Sequence, residues 1–289
     1  MRVCLMIEGQ EGVSWEQWVA LARAAEDANL EGLFRSDHYR SIVRGEPAGA
    51  LDAWATLAGL AAVTSRIRLG TMVSPVTFRR AQVLAKMVAT VDHISNGRVE
   101  LGLGAGWYEA EHETYGFAFP PVRERMDELD RQLAEIVRHW DEVPEIQPKP
   151  VQRPHPPIII GGTAKPRTVR AAVAHGDEYN TVWPTVDEAR ERKRTLDEAA
   201  RAAGREPLRF SMMTGCVVGS DATELEERLA AFKALTGNDA PAIAGTIDEV
   251  VARLREYEAA GVERVMLQHL VHEDVAMVTV LGEVAAQLG

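Results

Sequence analysis

The segment Arg35-Ser36-Asp37-His38-Tyr39 contains the side chain best suited to handle a proton. An imidazole has an unperturbed pKa of about 6.5, so small shifts set either protonation state of His38 at neutral pH. His38 is therefore the candidate catalytic residue, and a histidine that only bonds to backbone at a strand end is the alternative. Asp37 points the opposite way if the strand persists, so it need not be the partner of His38.

A glycine run followed by two aromatic residues could lie against a flat ring. The run is Gly102-x-Gly104-x-Gly106, and Trp107 and Tyr108 follow it. Glycines remove side chains along one edge, and a backbone that passes close to a planar ligand would explain the combination. A strained turn with aromatic residues in the core explains it equally well, and the sequence leaves both interpretations open.

A second glycine segment could bind an anion. Gly161-Gly162-Thr163 ends a predicted strand, and Pro166, a natural first-turn residue, opens a helix. Glycines let backbone N–H groups approach a phosphate, and a helix N-terminus favours negative charge. Lys165 and Arg167 could add positive charge. A tight strand-to-helix turn without a ligand is the alternative, since the run is neither a P-loop nor a G-x-G-x-x-G fingerprint.

The other histidines and the cysteines do not suggest a metal site or a disulfide. None of them has H-x-x-x-H or C-x-x-C spacing. His112 lies in the acidic run 109–113, which we expect to be a solvated face. Cys4 and Cys216 each lie in an apolar run, so we expect core residues in a reducing compartment.

Eight short apolar segments alternate with helical patterns along the chain. The predicted strands are residues 3–7, 32–35, 67–73, 99–103, 158–160, 178–182, 210–218 and 264–267, with an additional amphipathic helix at 246–260. Parallel neighbours need a crossover helix between them, and eight such units favour closure over an open doubly wound sheet. The sequence therefore predicts an α/β protein, a single (β/α)8 TIM barrel with insertion loops, and the open sheet is the alternative.

One domain is predicted over residues 1–289, because barrels of this kind use about 250 residues. The proline-rich segment 141–157 is expected to be an insertion loop or a short hairpin rather than a linker. In a barrel, residues after the C-terminal ends of the strands face the active site. We therefore expect the segments that begin near residues 35, 73, 104 and 161 to converge on one hollow.

The charge balance excludes some partners. The chain has 32 basic and 43 acidic residues, a net charge of −11, so no basic stripe stands out for nucleic acid or an anionic membrane. No stretch reaches the roughly 18 apolar residues of a membrane helix, and the first twelve residues carry no leader. We expect a cytoplasmic protein that binds a small-molecule substrate and neither nucleic acid nor membrane.

At these same segments the sequence resembles the luciferase-like monooxygenase family, and more narrowly its coenzyme F420-dependent (deazaflavin) branch. The similar segments are Phe34-Arg35-Ser36-Asp37-His38, RIRLGTMVSPVTFR at 66–79, DHISNGRVELGLGAGW at 92–107, Tyr115-Gly116 and Ile160-Gly161-Gly162-Thr163. The similarity extends from the first strand to the last helix and is densest at 66–140. Taken together, these motifs are specific to the family.

The resemblance implies a cofactor and a set of site residues. It implies coenzyme F420, with FMN as the alternative, at the C-terminal mouth of the barrel and His38 near the reactive carbon of its ring. It also implies a non-prolyl cis peptide between Met72 and Val73 that would press on the ring. The cofactor-binding residues implied by the resemblance are Asp37, Met72, Val73, Ala105, Gly106, Trp107, Gly161, Gly162, Thr163, Arg167 and Thr168.

One departure from the family concerns the substrate. Trp107 stands where the family's sugar-phosphate dehydrogenases have a glutamate, which disfavours a sugar phosphate and suits a flatter, more apolar substrate. The leading prediction is hydride transfer between F420 and a small organic substrate. FMN-dependent monooxygenation with dioxygen is the alternative, and a non-catalytic flavin-binding barrel is a third. Dimers are frequent among barrels of this resemblance, which also suggests a homodimer.

Overall fold

The centre of the molecule is a ring of parallel strands. The computed structural model describes residues 1–44 and 48–289. In chain order the strands are β1 (Arg2–Ile7), β2 (Gly32–Arg35), β3 (Arg68–Thr71), β4 (Ser74–Pro75), β5 (Val99–Gly104), β6 (Ile158–Gly162), β7 (Glu178–Val182), β8 (Arg209–Gly219), β9 (Ile243–Thr246) and β10 (Arg264–Gln268).

The ring closes on itself, which confirms the barrel and excludes the open sheet. Strand β1 pairs in parallel with both β2 and β10, and β10 in turn pairs with β8. The remaining neighbours follow the order β2, β3, β5, β6, β7 and β8. The two short strands are additions to the eight, since β4 lies beside the end of β5 and β9 beside the end of β8.

Helices cover the outside of the ring. They are α1 (Trp15–Asp27), α2 (Ala53–Val63), α3 (Ala81–Ser95), α4 (Glu109–Tyr115), α5 (Val122–Asp141), α6 (Pro166–His175), α7 (Val186–Ala202), α8 (Ala222–Thr236), α9 (Ile247–Ala259) and α10 (Ala276–Leu288). Local sequence fixes several of their starts, because Ser14, Thr185 and Thr246 each begin a helix with a capping box. Within the described part of the chain, no helix combines the length and apolarity required to span a bilayer.

Most expected elements are confirmed, and one predicted strand is shorter than expected. The predicted strand 67–73 is interrupted, because the chain turns out of β3 at Met72–Val73, where the peptide bond is cis as the resemblance implies. After Asp141, the last residue of α5, the segment up to residue 157 is a loop, which confirms the first of the two expected alternatives, and it contains two cis prolyl bonds. Cys4 and Cys216 are buried and unpaired, as expected of core residues.

The acidic run 109–113 is the clear error of the sequence analysis. We expected a solvated face, but these residues belong to α4, and both Glu111 and His112 are buried. The Nδ1–H of His112 donates to the carbonyl of Tyr108 at 2.7 Å, and the hydroxyl of Thr77 lies 2.6 Å from Nε2. Hydrogen bonds at both ring nitrogens offset the cost of taking the imidazole out of water.

The barrel interior is filled in layers because side chains of a strand alternate in direction. A charged cluster of Arg264, Glu100 and Glu178 occupies the lower end, and all three side chains are at most 2% exposed. Above it lies an apolar layer, which includes Met6, Phe34, Ile159 and Met266. A cavity opens above that layer, at the C-terminal ends of the strands.

Arg264 holds three strands together at the lower end of the barrel. Its Nη2 lies 2.6 Å from Glu100 Oε2 and 2.7 Å from Glu178 Oε2, which joins β10 to β5 and β7. Burial raises the pKa of both carboxyl groups. At Glu100, Arg264 and a smaller contribution from Arg68 outweigh burial and lower the pKa to about 2, whereas the pKa of Glu178 stays raised. Charges buried this deeply persist only because each is paired and hydrogen-bonded.

Replacing the cation is therefore expected to destabilise the fold. Arg264→Met removes the fully buried cation that two carboxylates share and leaves Glu100 only the partly exposed Arg68 and Glu178 only the longer contact with Arg209. It should lower the free energy of unfolding by about 3–5 kcal/mol, measured by urea denaturation at neutral pH. The loss should shrink as the pH falls, because protonated carboxyls no longer need the cation. The control is Arg209→Met, because Arg209 is one-third exposed and 3.5 Å from Glu178, so it should cost less than about 1 kcal/mol. Equal losses in the two variants would contradict the central role of Arg264.

Candidate active site

A cavity of about 590 Å³ opens at the C-terminal mouth of the barrel, within the usual size range of ligand sites. All four segments that the sequence analysis expected to converge contribute to its wall. Of the predicted site residues, those lining the cavity are His38, Met72, Val73, Ala105, Gly106, Trp107, Gly161 and Gly162. The predicted residues outside this lining are Asp37, Thr163, Arg167 and Thr168.

His38 is held by a glutamate that the sequence analysis did not propose. The Nδ1–H of His38 donates to Oε1 of Glu111 at 2.8 Å, and the backbone N–H of Tyr39 donates to the other carboxylate oxygen at 3.0 Å. Glu111 is 1% exposed. Its hydrogen-bond partners among the described residues are these two groups on the segment after β2. The ring of His38 is thereby fixed, and its Nε2 remains available on the cavity side.

The surroundings of His38 favour its charged form. Burial by itself lowers the pKa of the imidazole, but the hydrogen bond and charge of Glu111, with smaller contributions from Glu8 and Asp37, raise it above its ordinary value. A raised pKa means that the imidazolium is populated further towards neutral pH than in a free histidine. His38 is thus equipped to offer a proton at Nε2.

Val73 explains two of the glycines in the run 102–106. A Cβ on Gly104 would lie 2.7 Å from a methyl carbon of Val73, and a Cβ on Gly102 would lie 2.9 Å from the other and 2.1 Å from the carbonyl oxygen of Thr71. These glycines therefore make room for the bulge at Met72–Val73, and Gly104 also lines the cavity. Val73 in turn forms a projecting wall of the cavity.

Gly106 and the aromatic residues after it form the rim. Gly106 has a φ of +77°, a left-handed conformation that glycine adopts without steric cost. Trp107 lines the cavity with 62% of its surface exposed, and its ring lies 5.7 Å from that of His38 in an edge-to-face contact. Tyr108 stacks behind Trp107 at 5.3 Å. One edge of the mouth is therefore aromatic and uncharged, as the sequence suggested.

Asp37 supports the bulge from behind and does not line the cavity. Its carboxylate accepts from the hydroxyl of Ser74 and from the guanidinium of Arg79, both at 2.6 Å. Arg79 also bonds to Asp52 at the start of α2. The side chain of Asp37 therefore fixes the chain just after Val73, and its predicted contact with a cofactor stays a prediction.

The residues predicted to bind a phosphate lie in the turn between β6 and α6, and they differ in whether they reach the cavity. Gly162 lines the cavity and Thr163 is exposed beside it. Thr168 lies behind the turn, with its hydroxyl 2.9 Å from that of Tyr179. A Cβ on Gly162 would fall 2.7 Å from the Tyr179 hydroxyl, so this glycine is required by packing whether or not a ligand is bound.

Arg167 points away from the turn. Its guanidinium lies 2.5 Å from Asp127 and 3.3 Å from Asp130, both on α5. These contacts occupy the cation on the outer surface, so the structure does not bring Arg167 to the cavity with the glycines. Its assignment to a phosphate site stays a prediction, which requires Arg167 to leave these two aspartates.

Glu11 anchors the loop that walls the cavity beyond β2. Its carboxylate accepts from the hydroxyl of Ser41 at 2.6 Å and from the backbone N–H groups of Ile42, Val43 and Arg44 at 2.8 to 3.1 Å. Burial raises the pKa of Glu11, but these hydrogen bonds outweigh it and the pKa is lowered. Ile42 and Val43 line the cavity as a result.

The sequence does carry a signal that places Glu111 on a helix. Tyr108, Glu111, His112 and Tyr115 recur at i, i+3, i+4 and i+7, the spacing of one helix face. No comparable local signal marks Glu11, because its partners lie some thirty residues along the chain. Among residues 1–44 and 48–289, no group of three or more His, Cys, Asp or Glu side chains is arranged to hold a metal ion.

The fold and the cavity define a (β/α)8 barrel with a ligand-sized site at its C-terminal mouth. Comparison with known families identifies it further, because the luciferase-like monooxygenase family model matches residues 3–242. The chain belongs to the luciferase-like monooxygenase family.

Individual relatives cover less of the chain. It is 34% identical over 172 residues to an uncharacterized protein of Mycobacterium tuberculosis, a match that covers 55% of this chain and 59% of the relative. It is 38% identical over 122 residues to the F420-dependent glucose-6-phosphate dehydrogenase of Kineococcus radiotolerans, covering 41% of this chain and 35% of that one. The match therefore spans less than two thirds of the length of either relative.

A solved structure shares the whole fold. The F420-dependent secondary alcohol dehydrogenase solved with an F420-acetone adduct superposes with a TM-score of 0.85, covering 100% of this chain and 99% of that one. The sequence identity is 17%, so this likeness concerns the barrel architecture alone.

The contact between His38 and Glu111 makes a measurable prediction about proton affinity. Glu111→Gln removes the charge that raises the pKa of His38, so burial should prevail and the pKa should fall below about 6.5. An NMR titration of the histidine ring signals measures this. Glu113→Gln is the matched control, because Glu113 is an exposed residue of the same helix and should leave the His38 signal unchanged. A wild-type pKa retained in Glu111→Gln would refute the role given to Glu111.

Proposed function

We propose that this chain is an oxidoreductase that transfers hydride between coenzyme F420 and a small organic substrate. One observation carries the proposal: His38 faces a ligand-sized cavity with its Nε2 free of hydrogen bonds to the described residues, while buried Glu111 holds the other nitrogen. The name of the Kineococcus relative, an F420-dependent dehydrogenase, supports the choice of cofactor.

The cavity walls suit a planar ring that carries an N–H group. Asn180 lines the cavity, and its amide N–H groups donate to Ser211 Oγ at 2.8 Å and Met266 Sδ at 3.3 Å. The side-chain amide oxygen of Asn180, Oδ1, is buried and has no hydrogen-bond partner among the described residues. A buried acceptor of this kind is costly unless a ligand donates to it, and flavins and deazaflavins both carry such a ring N–H.

The remaining assignments follow from position in the wall. The residues proposed to lie along the ring are Met72, Val73, Ala105, Gly106 and Trp107, and those proposed to hold the phosphate-bearing tail are Gly161, Gly162, Thr163 and Thr168. Asp37 is proposed to act indirectly, because it fixes Ser74 and hence the bulge. The helix N-terminus of α6 adds a favourable dipole for the tail.

His38 is the proposed proton donor to the substrate. A bound deazaflavin supplies hydride transfer, because carbon replaces a ring nitrogen of flavin. Protonated His38 presents its Nε2–H to the cavity, and Glu111 accepts from Nδ1 and keeps the ring oriented. A substrate that gains hydride also gains a proton, and general-acid catalysis by a positioned histidine contributes about 10²–10⁴-fold in rate.

FMN-dependent monooxygenation is the second candidate function, because the family description is that of a monooxygenase. The same cavity walls would hold FMN, since a protein of this kind mainly binds and orients while the cofactor supplies the chemistry.

Titration with the two cofactors separates these functions. We expect the purified chain to bind F420 with a dissociation constant in the micromolar range, followed by the absorbance and fluorescence of the ring, and to bind FMN at least about tenfold more weakly. Micromolar binding of FMN with none of F420 would reverse the assignment. Failure to bind either ring would contradict both functions.

Replacing His38 tests whether the barrel is catalytic or only binds a flavin. His38→Ala should lower kcat by about 100-fold or more with cofactor affinity nearly unchanged, since the proton donor is lost but the walls remain. His93→Ala, at an exposed position on α3, is the control and should retain full turnover. Unchanged turnover in His38→Ala with cofactor bound would favour the non-catalytic barrel.

A further inference from the structure

The walls of the cavity carry an unbalanced negative charge. Glu8 and His38 are the ionisable residues among those that line it, and the lining contributes neither lysine nor arginine within the described part of the chain. The charge of protonated His38 is matched by Glu111, 2.8 Å away. The carboxylate of Glu8 therefore faces the cavity with no lysine or arginine in salt-bridge contact, and the cation that senses its charge, Arg35, is buried outside the cavity lining.

Neutral amide groups fix Glu8 in this position. The side-chain N–H of Gln268 donates to one carboxylate oxygen at 2.5 Å, and that of Gln10 donates to the other at 2.8 Å. Glu8 forms no salt bridge with any described lysine or arginine. The two amides thus orient the carboxylate and leave its charge in place, where it acts on whatever enters the cavity.

Two indole rings stand exposed at the same mouth. Trp107 is 62% and Trp183 is 61% exposed, and both line the cavity. Trp183 has a φ of +42°, a left-handed conformation that bulky residues seldom adopt. Its backbone N–H donates to the carbonyl of Met213 at 2.9 Å, which fixes the turn after β7 in this shape. The faces of indole rings attract planar groups and cations.

We propose that this cavity selects a planar aromatic substrate that is neutral or positively charged and excludes anionic ones. Trp183 contacts one face of the substrate, and Trp107, which also borders the proposed cofactor ring, contacts the other. Glu8 supplies the charge selection. The assignment rests on the proposed function, since it describes what is bound beside the cofactor. A phosphate or carboxylate on the substrate would meet the Glu8 carboxylate with no lining lysine or arginine to offset the repulsion.

The test uses three bicyclic probes of similar shape that differ in charge: 1-methylquinolinium, 4-methylquinoline and 2-naphthoate. Each is titrated calorimetrically at pH 8 into the chain, both alone and with saturating F420 or FMN. We expect the cation and the neutral probe to bind, and the anion to bind at least about tenfold more weakly than the cation.

Variants of Glu8 and Trp183 measure separately how charge and aromatic contact contribute to this selectivity. Glu8→Gln should remove most of the difference between cation and anion, because the amide keeps the shape and loses the charge. Trp183→Leu should weaken the cation and the neutral probe by about tenfold, and Trp183→Phe, which retains an aromatic face, should restore most of the loss.

The outcomes separate this inference from the proposed function. An anion that binds the wild-type chain as tightly as the cation, an unchanged ratio in Glu8→Gln, or binding of none of the three probes overturns the inference. If the chain still binds F420 or FMN in that case, the proposed function stands and only the substrate class is wrong.

Discussion

The buried ion cluster around Arg264 is the constraint on which the interior of this barrel depends. Its guanidinium lies between carboxylates from two other strands, Glu100 and Glu178, in a place with no access to water. The cost of desolvating three charges is offset only when the charges pair closely. A shift of β5, β7 or β10 relative to the other two strands would break this pairing. Because inward positions alternate along a strand, the same register brings Gln268, four residues after Arg264, to the cavity.

Above this cluster, the shape of the cavity depends on one projecting side chain. Val73 occupies the space that side chains on Gly102 and Gly104 would fill, and Asp37 holds the chain immediately after it through Ser74. Two of the three glycines in the run, Gly102 and Gly104, are therefore required by packing, and Gly106 alone lies beyond the reach of the bulge. The G-x-G-x-G pattern, which looks like a ligand-binding motif, is thus explained mainly by packing against Val73.

The fold could be predicted from the sequence because strand and helix patterns are local. The eight ring strands were expected within a few residues of their observed ends, and His38 was expected at the mouth because barrel geometry places strand ends there. The partners of side chains were not predictable in this way. Glu111 meets His38 from 73 residues away, and Arg167 meets two acids on α5 rather than the turn it follows. Such pairings are decided by tertiary packing, which no spacing rule encodes.

The position of Glu111 on α4 has a consequence for how sites of this kind diversify. Helix α4 lies between β5 and the barrel helix α5, and none of its residues is among those that line the cavity. The pKa of His38 is thus governed by a helix that is separate from the segments that form the cavity wall. Exchanging that short helix would retune the acid strength of the centre while the scaffold stayed the same, a modular route by which one barrel could acquire different chemistries.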